Sequence, residues 1–562
     1  MISKKTGVIL FLIILILFVG TRVAGLHISY QQDESKLPYF ADKTQHLPGG
    51  IPHPPLMELL FNNAGTVLGA DNYRIIPFTL GFINIFLLFY LAKIMFNTRT
   101  ALWAIFLFTV VYFSLISSLM LGVDGEFMPL FFLIAGIAYY KLRLKNFALK
   151  ETWPYLIIFI FGIVGGVLTK VSAVLPIGAF ALDFGIEKNI FKDIRKTMKY
   201  LLFGLITLIV LGGILYLSKF VFTFFDIDKA LTYWKHFSNS SSFLDRGWLQ
   251  TFIQFWKCIL YASPLLILTP FFINKEIWEK TKPLFFFLGI GVIFYLFVFD
   301  FSLGAIDMYL QFSVVPLCII SAAVFAKHIG NKGDESDKQK NKITFQIIGA
   351  ILIFFLQFLP HIVPPLYPKI LWLSRVISLK WNFLFPFTGG SGPVPFYVSF
   401  LFIAMSWMIC VLFVLYSLKR PAVKKIAIIS ILIFGLTYNV IFMEEYLFGR
   451  INGSTQTLID NAVVHIKSNN KIKEVLVYND NGGFEIRQTE KYKRRIYAVP
   501  AYEKYYKEIF EGFRGNILFI DIPKLSEDSF YKKFFDTCTV VYDESSGKIL
   551  SKIYDCSIKK LQ

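Results

Sequence analysis

Charge is scarce in this sequence. Only 17% of its 562 residues are Asp, Glu, Lys or Arg, against about 25% in a soluble globular domain. A chain wrapped over its whole length in a water-facing surface is therefore excluded. Cysteine is equally sparse, and its five copies, at 258, 318, 410, 538 and 556, lack zinc-site spacing. Cys258, Cys318 and Cys410 sit in apolar runs and read as small core residues, and the sequence leaves open whether Cys538 and Cys556 pair. No nucleic-acid motif, no G-x-G-x-x-G pattern and no repeat of fixed period is present.

What is there in quantity is hydrocarbon. Hydrophobic residues make up 55% of the chain, and the mean hydropathy is +0.58. Apolar runs of roughly 17–25 residues, each able to span ~30 Å of bilayer, recur up to Tyr446. The net charge of +19 comes from 57 Lys and Arg against 38 Asp and Glu. Its basic residues lie mainly in short loops between the runs, so they report topology rather than a nucleic-acid partner.

With Lys4-Lys5 in the cytoplasm, Gly7–Leu26 crosses as a retained signal anchor and the Asp33–His53 loop lies outside. Ile75–Phe96, Ala101–Leu121 and Phe127–Tyr140 follow, the last reaching the basic Lys141–Lys150 loop. Trp153–Leu182 has basic loops at both ends, so it is expected to cross twice. Its roughly 30 residues cover ~45 Å, which makes two short legs and leaves Lys170 recessed at the outer bend. Tyr200–Phe225, Leu249–Ile273, Pro283–Phe299, Met308–Ala326, Ile343–Leu366, Phe396–Leu418 and Ile426–Tyr446 continue the alternation. The expectation is a polytopic α-helical membrane protein with about thirteen spans and an extracytoplasmic C-terminus. Pro368–Pro395 reads either as an interfacial helix with a glycine hinge or as an ordinary connecting loop, and Asn239 and Asn452 begin outward-facing glycosylation triplets.

Composition changes abruptly near Gly449. Val475–Tyr478, Arg495–Val499, Ile517–Ile522 and Thr539–Tyr542 read as strands, and Thr455–Ser468, Tyr502–Phe513 and Ser526–Phe535 as helices. Two domains follow: a membrane domain over residues 1–448 and a soluble α/β domain over 449–562, with a largely parallel sheet. Asn479–Gly483 occupies the place where such sheets bind ligands but reads as a plain turn.

The chemistry-bearing residues gather in the expected outer loops. They are the adjacent Asp33-Glu34, His53 ahead of Pro54-Pro55, Asp124, Glu126 and Lys170. Carboxylates beside hydrocarbon are costly and are usually kept for chemistry or ion handling. Such acids can take a proton from an acceptor hydroxyl or amine, or hold a divalent cation beside a phosphate. Histidine and lysine can neutralise a phosphate leaving group.

Asp33-Glu34 after the first span and His53-Pro54-Pro55-Leu56 before the second resemble the GT-C membrane glycosyltransferases. The nearest likeness is to the protein O-mannosyltransferase and aminoarabinose-transferase group. Gly122-Val123-Asp124 resembles that group's second outer-loop acid, and Gly165-Gly166-Val167-Leu168-Thr169-Lys170 is similar to its Gly-x-x-x-Leu-Thr-Lys turn. Tyr309–Pro316 resembles its Arg-Tyr…Pro segment, with Met308 where arginine is common and His53 where some members carry lysine. The Trp-Trp-Asp motif of oligosaccharyltransferases is absent from the tail. The resemblance implies an inverting enzyme that moves a sugar from a polyprenyl-phosphate donor to a glycan, lipid or protein acceptor. It implies Asp33 as the base, with Glu34 and Asp124 beside it. Lys170, His53 and Arg22 are assigned to the donor phosphate, and Glu126 and Tyr309 to orienting the acceptor or a metal. No cofactor is certain; Glu34 and Asp124 are the candidates for a divalent metal.

Two rival classes stay open. A transporter of a lipid-linked glycan would place charges near the bilayer midplane in paired repeat halves, whereas most charges here sit at span ends. A non-catalytic scaffold would leave Asp33-Glu34 dispensable.

Overall fold

A computed structural model describes residues 3–35, 37, 55–122, 125–222, 225–239, 247–298, 307–329, 337–359, 374, 377–378, 384–386, 394–496 and 503–558. Among these, nine helices are long and apolar enough to cross a membrane. A bent pair, Phe255–Tyr261 and Pro264–Phe272, meets at 103° and makes a tenth if counted as one span. The other expected spans correspond to shorter helices at Thr98–Val110, Val174–Glu187 and Ile343–Phe358.

The chain falls into two compact units. The first holds Met1–Leu26, Leu37–Glu335 and Val414–Leu432. Its Tyr309–His328 helix is 83% buried and forms the bundle's interior, whereas Ile194–Val221 is 11% buried and leaves its leucines and isoleucines exposed, as a lipid-facing helix requires. Two departures from regular spans shape this unit. The expected Ala101–Leu121 span breaks at Val111, whose extended backbone separates helices Thr98–Val110 and Tyr112–Ser117. The Trp153–Leu182 legs are unequal: the first helix starts at Leu149 and reaches Thr169, and the second has 14 residues. Lys170 stands at the break in extended conformation. Helices Phe127–Leu144 and Leu149–Thr169 pack closely because Gly162 faces the other helix's backbone; a Cβ there would lie 2.8 Å from the Ala135 nitrogen.

The second unit holds His27–Lys36, Ser336–Phe413 and Ile433–Gln562. A short ribbon pairs β1 (Leu384–Pro386) with β2 (Tyr397–Ser399). β1 and a helical bond from the Ser378 N–H to the Ser374 carbonyl at 2.9 Å fall in the Pro368–Pro395 segment expected to hold an interfacial helix, and its glycine hinge lies outside the described residues. The tail carries a five-stranded sheet of β3 (Val475–Tyr478), β4 (Tyr492–Ile496), β5 (Asn516–Ile520), β6 (Thr539–Ser546) and β7 (Ile549–Asp555). The order is β4-β3-β5-β7-β6. The β3/β4 and β3/β5 pairs are parallel, and β5/β7 and β6/β7 antiparallel. The sheet is thus mixed rather than largely parallel, because β7 returns on β6 through a two-residue turn at Gly547-Lys548, where Gly547 has φ +56°. That register sets Cys538 and Cys556 side by side, and they form a disulfide with Cα atoms 4.6 Å apart. One sheet face packs on Phe510, Tyr531 and Phe535. Asn452 is not a glycosylation site in this fold: it is buried, and its amide donates to Gln357, Glu445 and the Tyr397 carbonyl.

Candidate active site

The described site residues form three groups. The first surrounds Arg22 and Glu126, both fully buried. The helix break at Val111 leaves backbone carbonyls without helical partners. The Arg22 guanidinium takes them, donating to the Thr109 oxygen at 2.7 Å and the Phe108 oxygen at 3.5 Å, and also to Ser114 Oγ at 3.3 Å. Its plane lies 4.2 Å over the Phe18 ring. Glu126 accepts from Asn84 Nδ2 at 2.7 Å and from Ser118 Oγ at 2.8 Å, and lies within electrostatic reach of Arg22. Asn84 also donates to the Glu126 carbonyl at 2.9 Å. These bonds pin one end of the loop bearing Asp124. Gly125 permits it, since a Cβ there would lie 2.9 Å from the Ser117 oxygen. Arg22 and Glu126, expected at donor phosphate and acceptor, are instead enclosed by protein in this conformation.

The second group is Lys170 and Tyr309. The half-buried lysine places its ammonium 4.8 Å from the centre of the buried Tyr309 ring. Tyr309 stacks on Tyr295 at 5.3 Å, and Tyr295 on Phe312 at 5.5 Å. This aromatic stack holds the cation where helix Leu149–Thr169 ends. The Asp307–Ser313 turn carrying Tyr309 packs against Tyr112–Ser117, the helix whose Ser114 bonds Arg22. The two groups of the first unit are therefore mechanically joined.

The third group belongs to the second unit. Gln32–Ser35 form a single 3-10 turn, with Glu34 buried and its Oε2 accepting from the Gln31 N–H at 3.2 Å. The residues before it lie on the tail domain. The Ser29 N–H donates to Gln456 Oε1 at 2.8 Å, and Gln456 Nε2 donates back to Ser29 Oγ at 2.9 Å. Tyr30 meets Phe484 edge-on at 4.7 Å. Gln31 Nε2 donates to the Asn479 carbonyl at 3.2 Å and to Asn481 Oδ1. The Asn479–Gly483 segment is therefore a receptor for the chain's own Gln31 and not a plain turn. Burial pushes the Asp460 and Glu485 carboxyls up, countered by bonds from Gln456 and Ser29 respectively.

His53, Asp124 and the Asp33 side chain lie outside the described residues. Among the described residues, no cluster of three or more His, Cys, Asp or Glu could hold a metal ion. Asn84, Ser118 and Tyr295 were not anticipated. Asn84 was legible as a polar residue inside the Ile75–Phe96 apolar run; Ser118 and Tyr295 carry no such signal.

The family described as dolichyl-phosphate-mannose-protein mannosyltransferase matches residues 52–216. The structure of ArnT from Cupriavidus metallidurans bound to undecaprenyl phosphate superposes with a TM-score of 0.53 and 12% identity, covering 100% of both chains. The fold is that of the GT-C glycosyltransferases. The same ArnT in its apo state gives a TM-score of 0.50 at 13% identity, again over 100% of both chains. The Archaeoglobus fulgidus oligosaccharyltransferase in its apo form matches at 11% identity over 92% of this chain and 70% of its own, but its TM-score of 0.33 supports no argument. No curated protein matches the sequence.

Proposed function

We propose that this protein is an inverting glycosyltransferase that moves a sugar from a polyprenyl-phosphate donor to a cell-envelope acceptor on the outer face of the membrane. The observation that carries the reading is a GT-C fold whose first loop holds Asp33-Glu34 in a short turn anchored by the Gln31 N–H bond to Glu34. The Asp33 carboxylate takes the proton of the acceptor hydroxyl or amine as that atom attacks the sugar's anomeric carbon. The anomeric C–O bond breaks on the opposite side, and polyprenyl phosphate departs with the bonding pair. The lipid in the matched ArnT structure, undecaprenyl phosphate, has the chemistry of that leaving group.

Lys170, braced by Tyr309, neutralises the departing phosphate together with His53. Asp124 and Glu34 orient the acceptor or a divalent cation. Arg22 and Glu126 act one step back, by fixing the helix break and the Asp124 loop. Residues 1–448 would form the membrane domain and 449–562 the soluble one. The Cys538–Cys556 disulfide favours an oxidising, extracytoplasmic location for that tail. Mass spectrometry of cell-envelope glycans from cells with and without the protein tests the reading. Loss of one glycosyl increment together with accumulation of its polyprenyl-phosphate donor supports it, and an unchanged glycan profile overturns it.

A further inference from the structure

In doubly wound and mixed α/β sheets, ligands bind outside the carboxyl ends of neighbouring parallel strands. In this tail those ends belong to β3 and β5, and the space between them is bridged by Asn481. This fully buried side chain donates to the Ile522 carbonyl beyond β5 at 3.1 Å. Asn479 and Asp480 turn the chain after β3 in the left-handed region, at φ +54° and +63°. Such backbone persists where the surroundings over-determine it. Here the turned Asn479 carbonyl and the Asn481 Oδ1 both accept from one carboxamide, that of Gln31, itself only 2% exposed. The position where a sheet of this kind takes a ligand is filled by the residue two before Asp33. Further bonds follow the same course, between Ser29 and Gln456 and between Gln31 N–H and Glu34.

We infer that the tail domain positions the catalytic acid turn, with Asn481 and the Asn479 carbonyl acting through Gln31 as a clamp on Asp33-Glu34. The inference rests on the glycosyltransferase reading for what the turn does, and on the hydrogen bonds above for how it is held. A carboxamide is suited to the task. It donates to two oxygens at once without burying a charge, and its fixed length sets the turn's register on the sheet. Gln31 and Asn481 are thus positioning residues. Misplacing a reacting group by about 1 Å costs up to ~10²-fold in rate without removing any group that touches substrate.

The test uses the full-length protein in detergent or nanodiscs, with Gln31→Leu, Asn481→Leu, the double variant, and Asn461→Ala as control. Exposed Asn461 donates to Glu544 elsewhere on the same domain. Amide exchange is read over residues 28–35. Asn481→Leu is expected to raise it about tenfold, the worth of one buried hydrogen bond, and Gln31→Leu, which removes two, by at least that much, with the double variant no worse than Gln31→Leu and the control unchanged. Turnover should fall by at least tenfold in kcat with KM for the lipid donor within about twofold. Additive effects in the double variant, or wild-type exchange over 28–35 in both singles, overturn the clamp. A loss that appears only in KM assigns the pair to donor binding and also overturns it. If exchange responds as expected while wild-type protein transfers no sugar, the clamp stands and the glycosyltransferase reading fails. If Asp33→Asn abolishes transfer while both Leu variants keep wild-type kcat, the clamp fails and that reading stands.

Discussion

At the scale of single residues, burial separates groups open to a ligand from groups enclosed by protein. Lys170 is half-buried and rests against the Tyr309 ring. Exchanging it for methionine keeps the stem and removes the charge. Lys170→Met should therefore weaken binding of the lipid-phosphate donor by tenfold or more while leaving expression intact, as measured by donor titration of the purified variant. Unchanged donor affinity would remove Lys170 from the phosphate site. Glu126 is the opposite case, since its carboxylate is enclosed and held by Asn84 and Ser118. Asn84→Leu removes a partner and leaves a buried acid under-bonded, at a cost of about 1–3 kcal/mol. Its thermal midpoint in detergent should drop, and Glu126→Gln, which needs less solvation, should lose less than Asn84→Leu does.

Elements show what local sequence could and could not convey. Long apolar runs announce themselves by length, so the helices at Lys4–Val23, Ala70–Met95 and Lys424–Leu447 lie close to where composition placed them. Breaks are less legible. Val111 is as apolar as its neighbours, and the freed carbonyls of Phe108 and Thr109 accept hydrogen bonds from a partner 89 residues before it, the Arg22 guanidinium. In the tail, β3 reads directly as four buried residues. Strand β7 lies beyond the four expected strands, although Gly547 between two alternating stretches is a hairpin signal. The Cys538–Cys556 pairing depends on that hairpin's register and could not be read without it. The disulfide closes a sequence separation of 18, for which the chain-entropy argument gives about 3 kcal/mol. Cys538→Ser should destabilise β6 and β7 by roughly that amount, read as faster amide exchange there, while the membrane helices keep their protection.

Strand β5 ends in a further testable group. Burial pushes the Asp521 carboxyl up to about 6, despite a bond from the Leu550 N–H and attraction to Lys524. A folded value above the unfolded one means the protonated acid is favoured on folding. The associated stability is fully present below the unfolded value of 3.8 and is lost as pH rises through about 6. Between about pH 5 and pH 7.5 this group alone should weaken the tail by roughly 1.4 kcal/mol, the equivalent of one pKa unit. Asp521→Asn should flatten that slope in β5 protection factors. An unchanged slope would show that the carboxyl is charged at no cost.

For the whole molecule, the sequence conveyed a helical membrane protein with a sheet-containing tail. The attachment of the first loop's acid turn to the far end of the chain was not conveyed. Gln31 and Asn481 are 450 residues apart and have no motif in common. A polar residue in a loop looks the same whether it faces water or a partner domain, so only the fold can tell them apart. The central claim is that Asp33 is the base of a glycosyl transfer from a lipid-phosphate donor. Asp33→Asn keeps the side chain's shape and removes its ability to take a proton, and loss of a general base costs ~10²–10⁴ in rate. The most direct measurement is single-turnover transfer by purified Asp33→Asn protein, with donor binding measured on the same sample. The account predicts transfer slowed by at least ~10²-fold with donor affinity retained; transfer at the wild-type rate would contradict it.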